Sequence, residues 1–402
     1  MKIFWIISQY ASTPKTGMGG RHYYLAKELA KQGHKVYLIA AGYTHLLRNP
    51  PKMKSSFKIE KIEGFNFIWI DMPKYSDAHD KKRILNWFLF AWKVLRLPKL
   101  IAENPDIILA SSPSLLTSWS AKKLADKFQA KYIFEVRDIW PLTLIKLGGY
   151  SKSHLFIKFL QWIEDKAYSD ADIVISNLPN AVEHMVGRGM DRDKFCWIPN
   201  GFDQNEVIHA EPLSKKTLSQ IPKDKFIVGY AGTLGIANSL NCFILAAKIL
   251  QKKDEIAFVL VGSGKEKIVL EEMSKGLFNV FFIDAIPKQQ MQTMLSMFNV
   301  CYLGWKDESL YRFGIAPNKL PEYMLSKKPI LHSYSGSHDF VKLAYAGISV
   351  PAESPQAVAH AILELKNMTQ ERRNKMGKKG RKYALENLDY EKLAKTLSKV
   401  LD

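Results

Sequence analysis

The feature that most constrains this chain is a series of short apolar runs that do not alternate with polar residues. In the first half they are Ile3–Ile7, Val36–Ala40, Phe67–Ile70, Ile107–Ala110, Tyr132–Val136 and Ile173–Ile175. In the second half they are Phe226–Tyr230, Ala257–Val261, Val280–Ile283 and Val300–Leu303. A strand with one wet face alternates, whereas a strand that is apolar throughout is covered on both faces, as in a parallel sheet. Helical patterns lie between the runs, at Arg21–Lys31, Leu115–Phe128, Ser239–Lys252 and Lys288–Phe298. Strands alternating with helices predict an α/β, doubly wound architecture.

With 402 residues, two or three domains are expected. Pro199-Asn200-Gly201-Phe202-Asp203 is a turn cluster, and a polar stretch with lysines and prolines follows it to about Lys225. The expected division is therefore an N-terminal domain over 1–203, a C-terminal domain over 204–385 and a last helical segment over 386–402. Each half opens with a strand, a glycine-containing loop and a helix.

Composition narrows the function classes. The three cysteines, Cys196, Cys242 and Cys301, are far apart and form no C-x-x-C pair. A zinc site or a disulfide framework is not expected, and a reduced, cytosolic compartment fits better. The apolar run at the N-terminus is too short for a signal peptide, and no stretch reaches the ~18 apolar residues of a spanning helix. The net charge of +19 calls for an anionic partner: nucleic acid, lipid headgroups or a phosphorylated substrate. No recognised nucleic-acid motif is present, and the aromatics lie in apolar runs rather than on an open stacking platform, so no nucleic acid is expected.

Five segments carry candidate chemistry. Gly17-Met18-Gly19-Gly20-Arg21 follows the first strand; Gly19 and Gly20 would let backbone approach an anion at a helix N-terminus, or simply turn the chain. Tyr230-Ala231-Gly232-Thr233-Leu234-Gly235 repeats that layout, with Gly232 and the Thr233 hydroxyl as phosphate contacts. Leu260-Val261-Gly262-Ser263-Gly264-Lys265 adds Gly262, but it is neither a P-loop nor a full G-x-G-x-x-G, since Lys267 holds the third glycine position. Arg312 to Met324 is the strongest segment. A helix is predicted to begin near Pro317, Arg312 and Lys319 add charge, Asn318 adds a polar group, and Glu322 could accept two ribose hydroxyls. Phe134 to Pro141 ends a strand with Arg137 and Asp138, at the edge where open α/β sheets bind ligands; an internal Arg–Asp pair is the alternative.

At these residues the chain resembles the family-4 retaining glycosyltransferases of the GT-B fold. Within them it is most similar to bacterial O-antigen and capsule transferases that handle N-acetylated 6-deoxy amino sugars such as N-acetylfucosamine. The resemblance covers nearly the whole chain and is most specific from Phe313 to Pro329. It implies two Rossmann-like domains facing across a cleft, a UDP-sugar donor held by the C-terminal domain, and an acceptor on the N-terminal domain. It also implies that the last helix packs back on the N-terminal domain.

Three departures stand out. The family's acidic motif places two glutamates seven residues apart; the second falls on Glu322, but the first falls on Gly314. The family's basic pair after the first C-terminal strand falls on Thr233 and Asn238, and Arg312 and Lys319 are candidates to replace its charge. Arg137 stands where many relatives carry His before Asp138. Arg137 and Asp138 are the candidate catalytic residues; Gly19, Gly20, Gly232, Thr233, Gly262, Arg312, Asn318, Lys319 and Glu322 are the candidate donor and phosphate contacts. No metal or other cofactor is expected, because cationic groups and N–H donors can stabilise the leaving diphosphate.

Two stretches suit a membrane interface. His79 to Ile101 sets Trp87, Phe88, Phe90 and Trp92 among lysines and arginines, and Leu155–Trp162 lies near Lys152 and Lys158. The expected partners are a UDP-sugar, an undecaprenyl-diphosphate-linked saccharide acceptor and the inner face of the cytoplasmic membrane. The rival readings are a sugar-nucleotide epimerase of the same fold and a non-catalytic nucleotide-sugar-binding protein.

Overall fold

The computed structural model describes residues 1–76, 80 and 82–400. The chain divides into two units, Met1–Pro199 with the segment from Tyr390 onward, and Asn200–Asp389.

The first unit is built on an eight-stranded sheet in the order β3-β4-β2-β1-β5-β6-β7-β8. Its strands are β1 (Ile3–Ile7), β2 (Lys35–Ala41), β3 (Phe57–Ile62), β4 (Phe65–Ile70), β5 (Ile107–Ser111), β6 (Lys131–Val136), β7 (Ile173–Ser176) and β8 (Phe195–Trp197). All neighbours pair in parallel except β3 with β4, which form an antiparallel hairpin. The hairpin turns at Glu63 and Gly64, both with positive φ, as tight two-residue hairpin loops require. The central strands are buried on both faces, as their unbroken apolar runs require. Strand β3 reads Phe-Lys-Ile-Glu-Lys-Ile and is only partly buried; its charges suit a sheet edge.

Helices cover both faces. α1 (Arg21–Lys31) buries Tyr23, Tyr24, Leu25, Ala26 and Leu29. The helix Tyr390–Val400 returns from the far end of the chain and buries Tyr390, Leu393, Ala394 and Leu397, a stripe with helical spacing. Its Tyr390 ring stacks on Tyr24 of α1 at 5.2 Å, and Ser398 Oγ donates to Gln32 Oε1 at 3.1 Å. The other helices used below are α2 (Lys82–Val94), α3 (Leu116–Phe128), α4 (Leu142–Lys146) and α5 (Leu155–Asp170). Of the interfacial stretch expected from His79, residues His79 and Lys81 lie outside the described residues.

The second unit carries a six-stranded, wholly parallel sheet in the order β11-β10-β9-β12-β13-β14. Its strands are β9 (Phe226–Ala231), β10 (Ile256–Val261), β11 (Val280–Ile283), β12 (Val300–Gly304), β13 (Ile330–Ser333) and β14 (Gly347–Val350). The helix Leu240–Ile249 follows β9, and the helix Lys319–Leu325 follows β12. The predicted helix over Lys288–Phe298 is instead a short 3-10 turn, Lys288–Gln290, continued by the helix Met291–Ser296. Pro287 sits just before that turn.

Both sheets change winding direction once. In the first unit the change falls between β1 and β5, and in the second between β9 and β12. Loops leaving adjacent strands at such a point go to opposite faces and open a crevice at the strands' carboxyl ends.

Candidate active site

In the first unit, the crevice is framed by the β1–α1 loop and the end of β6. Gly19 and Gly20 adopt φ values of 67° and 90°, a conformation glycine takes without steric cost. Gly20 starts α1 with no side-chain cap. The first two residues of α1 turn inward: Arg21 Nε donates to Glu135 Oε1 at 2.7 Å, and the His22 ring bonds Glu135 Oε2. Ser111 Oγ, at the end of β5, donates to the same oxygen at 2.6 Å. Arg21 also donates to the Pro199 carbonyl.

This cluster is wholly buried, and its charge states follow from its partners. Burial alone would raise the Glu135 pKa, but His22 and Arg21 reverse this and hold the carboxyl well below its usual range. Burial lowers the His22 pKa despite the neighbouring Glu135. Glu135 is thus a buried carboxylate paired with the Arg21 guanidinium and hydrogen-bonded to the His22 ring.

The candidate catalytic residues lie next to it. The Arg137 amide donates to Ser112 Oγ at 2.8 Å, and its buried Nε has no hydrogen-bond partner among the described residues. Desolvation raises the Asp138 pKa, against the opposing charge of Arg137. No ion pair joins the two among the described residues, so the alternative of a closed Arg137–Asp138 pair is not what the structure forms. Sequence reading passed over Glu135, which lies inside the segment Phe134 to Pro141; the signal was a carboxylate near the end of a buried strand.

In the second unit, the crevice between β9 and β12 collects most of the remaining candidates. Gly232 follows β9, and a Cβ built there would lie 2.2 Å from Lys319 Cε. The Lys319 chain therefore passes over Gly232 because nothing projects from it. A Cβ on Gly262, after β10, would lie 1.9 Å from the Gly232 carbonyl oxygen. The glycines expected to admit a ligand thus also admit each other and a lysine.

Lys319 ends with its Nζ donating to Asn238 Oδ1 at 2.9 Å. Asn238 in turn donates to the Thr233 carbonyl at 3.0 Å, and Tyr230 Oη donates to that same carbonyl at 2.6 Å. The Thr233 side chain remains exposed. Lys319 is part-buried, and desolvation lowers its pKa to about 8, with Glu322 opposing the shift. The side chain brings a cation to Asn238, one of the two positions where the basic pair is absent.

The helix Lys319–Leu325 is fixed in place by Tyr323. Its hydroxyl accepts from the Ala231 amide at 2.8 Å and donates to the Ala231 carbonyl at 2.9 Å, closing on the end of β9. The helix starts two residues later than predicted and has only seven residues, so its charge is concentrated in Lys319 rather than in a long dipole. Asn318 precedes it, with its Oδ1 accepting from Asn200 Nδ2 at 3.0 Å; Asn200 also donates to the Ala316 carbonyl at 2.8 Å.

Glu322 lies one turn on. Burial raises its pKa, Glu206 adds to the shift, and Lys288 and Lys319 oppose it. Lys288 Nζ is 3.9 Å from Glu322 and 2.6 Å from Glu206. Arg312 does not join this group: it is exposed, with its guanidinium 4.6 Å above the Phe313 ring.

Two Asp-x-Asp triplets, Asp170-Ala171-Asp172 and Asp191-Arg192-Asp193, lie away from the crevices in structural bonds. Asp172 accepts the Tyr132 amide at 2.7 Å, Asp170 pairs with Lys166 at 2.7 Å, and Asp191 accepts the Asp193 amide at 3.1 Å.

Two α/β units built on mainly parallel sheets, each with glycine loops and charged groups at its switch point, have the architecture of the GT-B fold. The profile described as Glycosyltransferase Family 4 matches residues 16–206, and that described as Glycosyl transferases group 1 matches residues 214–383. The chain belongs to the family-4 glycosyltransferases. It is 25% identical over 290 residues to a protein of Escherichia coli (strain K12) named colanic acid biosynthesis glycosyl transferase WcaI, covering 68% of this chain and 70% of that one. It is 22% identical over 383 residues to a protein of Pseudomonas aeruginosa named glycosyltransferase WbjE, covering 91% and 90%. Among solved structures, sucrose-phosphate synthase from Thermosynechococcus elongatus has a TM-score of 0.74 at 17% identity, covering 100% of this chain and 98% of that one. Anabaena HepE in complex with UDP has a TM-score of 0.66 at 15% identity, covering 100% and 99%.

Proposed function

We propose that this glycosyltransferase moves a sugar from a UDP-sugar to a lipid-linked saccharide, with retention of configuration and without a metal, at the inner face of the bacterial cell membrane. The observation that carries this reading is Lys319. Its ammonium is led over Gly232 into the crevice between β9 and β12, where a neutral amide oxygen is its hydrogen-bond partner. Cleaving a sugar–phosphate bond leaves negative charge on the departing diphosphate, and a preorganised cation in a poorly solvated site lowers the energy of that state. The Gly232–Thr233 turn would lie along the diphosphate, with Gly262 supporting it, and Glu322 would accept hydroxyls from the ribose. In the first unit Asp138 and Arg137 would flank the acceptor, and Gly19 and Gly20 would let the protein's backbone approach the donor's phosphate.

The bound UDP of HepE and the polysaccharide named for WcaI support the donor class and the surface-polysaccharide setting. Gly314 in place of a donor-contacting glutamate, beside the apolar Ile315-Ala316-Pro317, favours a less hydroxylated sugar. The class proposed is an N-acetylated 6-deoxy amino sugar such as N-acetyl-L-fucosamine.

Calorimetry with UDP, with GDP as control and EDTA present, tests the donor site. Binding of UDP in EDTA is the expected result; binding that needs a divalent metal, or no binding of either nucleotide, overturns it. Turnover of UDP-glucose in preference to 6-deoxy amino sugar donors would sink the sugar assignment.

A further inference from the structure

The exposed aromatics of the first unit are not scattered. On α2, Leu85, Phe88 and Trp92 are exposed at spacings of three and four residues, one stripe of a helix; Trp92 is 50% exposed. On α5, Leu155, Phe159 and Trp162 form a second such stripe, with Trp162 59% exposed. The two stripes meet: the Phe88 and Phe159 rings stack 6.2 Å apart with planes 7° from parallel, and Phe159 stacks on Trp162. α3 packs against both helices and exposes Trp119. Trp87 and Phe90, expected at the interface with Phe88 and Trp92, are instead buried in the core; the exposed residues of the two stretches form one face.

The uncompensated charge around this face is positive; Asp80, just before α2, is bonded to Ser76 and to the Lys82 amide. α2 contains no acidic residue. On α5, Glu164 is buried and bonded to the Tyr168 hydroxyl, while Asp165 is paired with Arg188 and Asp170 with Lys166. On α3, Asp126 is paired with Lys122. The cations, by contrast, lie among the aromatics. The Arg96 guanidinium sits 3.7 Å above the Trp92 ring, the Lys123 ammonium 4.0 Å above Trp119, and Lys82, Lys152 and Lys158 are exposed. No helix among the described residues is long and apolar enough to cross a membrane.

We propose that the joined stripes of α2 and α5 are the face by which this protein lies on an anionic phospholipid bilayer. Large exposed apolar patches mark interaction sites. Protein interfaces are depleted in lysine, whereas lysine beside tryptophan and phenylalanine is the pattern of helices lying in a headgroup layer. The indole and phenyl rings enter the acyl boundary, and the cations stay at phosphate level. This inference rests on the proposed function for its purpose, since a lipid-linked acceptor is met at that surface.

The test uses the full chain and vesicles of phosphatidylcholine with or without phosphatidylglycerol. Wild-type protein is expected to sediment with the phosphatidylglycerol vesicles and to be released by salt. Trp92→Ser combined with Trp162→Ser should lower partitioning about tenfold or more, since each ring removes a large buried area. Arg96→Glu with Lys158→Glu should abolish the preference for the anionic lipid. Both variants should keep the wild-type melting temperature and UDP affinity. Wild-type protein left in the supernatant with both vesicle types overturns the docking face, as does a Trp92/Trp162 variant that sediments like wild type. A wild-type dimer that the aromatic variant dissolves into monomers assigns the face to a second copy instead. UDP binding separates this outcome from failure of the transferase reading: vesicle binding without UDP binding would leave the docking face and remove the donor site.

Discussion

The two switch-point crevices are built from the same kinds of parts and finish in opposite electrostatic states. Between β1 and β5, the Glu135 carboxylate is matched internally: Arg21 and the His22 ring bond it and Ser111 completes the shell, while Arg137 and Asp138 beside them form no ion pair among the described residues. Between β9 and β12, Lys319 meets only an amide oxygen by hydrogen bond, and Glu322 has its nearest paired cation 3.9 Å away. A buried charge with an opposite charge in contact holds a fold together, whereas a cation left with a neutral partner has attraction to spare for an anion. The difference separates residues that support a site from residues that act on a ligand.

The largest effect expected from this contrast is on Glu135. Glu135→Gln leaves the Arg21 guanidinium buried beside a neutral amide, and removing one partner of a buried pair costs about 3–5 kcal/mol. Urea unfolding of the first unit should shift accordingly, while UDP affinity below the unfolding range stays unchanged. Full stability with lost UDP binding would break the contrast. The pH dependence has a fixed sign. Glu135 has a folded pKa below 4.5, so its contribution is present above that value and is lost as pH falls through the folded one. His22 has a folded pKa below 6.5, so the unfolded chain takes up its proton first and stability also falls as pH drops below 6.5. Both groups therefore make the first unit acid-sensitive, and Glu135→Gln should blunt the lower part of that response.

Next in size is Lys319→Met. Hydrogen bonds to charged groups contribute about 1.5–3 kcal/mol, so UDP affinity should fall roughly 10- to 100-fold without loss of fold. Lys319 is lowered to about 8 in the folded chain; UDP affinity should therefore decline as pH rises through that value, and the decline should vanish in the variant. Folding shows the converse sign: keeping Lys319 charged in a poorly solvated place costs stability below pH 8, so Lys319→Met should unfold no more easily at neutral pH. Unchanged UDP affinity in the variant would remove Lys319 from the donor site.

The smallest effect sharpens the contrast most. Gly232→Ala places a methyl group where the Lys319 chain passes and should weaken UDP binding several-fold. In the Lys319→Met background the same change should do less, because coupled neighbours are not additive. Equal effects in both backgrounds would mean that Gly232 serves the ligand directly.

Much of the fold could be read from the chain. Runs such as Ile3–Ile7 and Ala257–Val261 have one stable use, as strands covered on both faces, and α1 starts and stops where its pattern does. Strand β3 was missed because its three charges obscure a pattern that makes sense only beside β4. Strands β13 and β14 read Ile-Leu-His-Ser and Gly-Ile-Ser-Val, whose polar and glycine positions leave no unbroken apolar run to read. In the candidate site, the residue types around Lys319 and Glu322 were legible, because a Gly-rich turn and a charged helix start each announce themselves locally. The passage of Lys319 over Gly232 was not, since it joins positions 87 apart through a strand order that no local pattern encodes. Arg312 shows the same limit: its charge was visible, but its direction depended on Phe313.

The helix Tyr390–Val400 belongs to the first unit, although some 190 residues of the second unit precede it in the chain. A ribosome therefore delivers the first unit's sheet long before the helix that covers α1. During that interval Tyr24 waits for its stacking partner, and α1 presents an apolar flank with no cover from its own chain. Completion of the first unit is thus timed by synthesis of the second, which makes docking of the helix Tyr390–Val400 the step that closes the first unit's core.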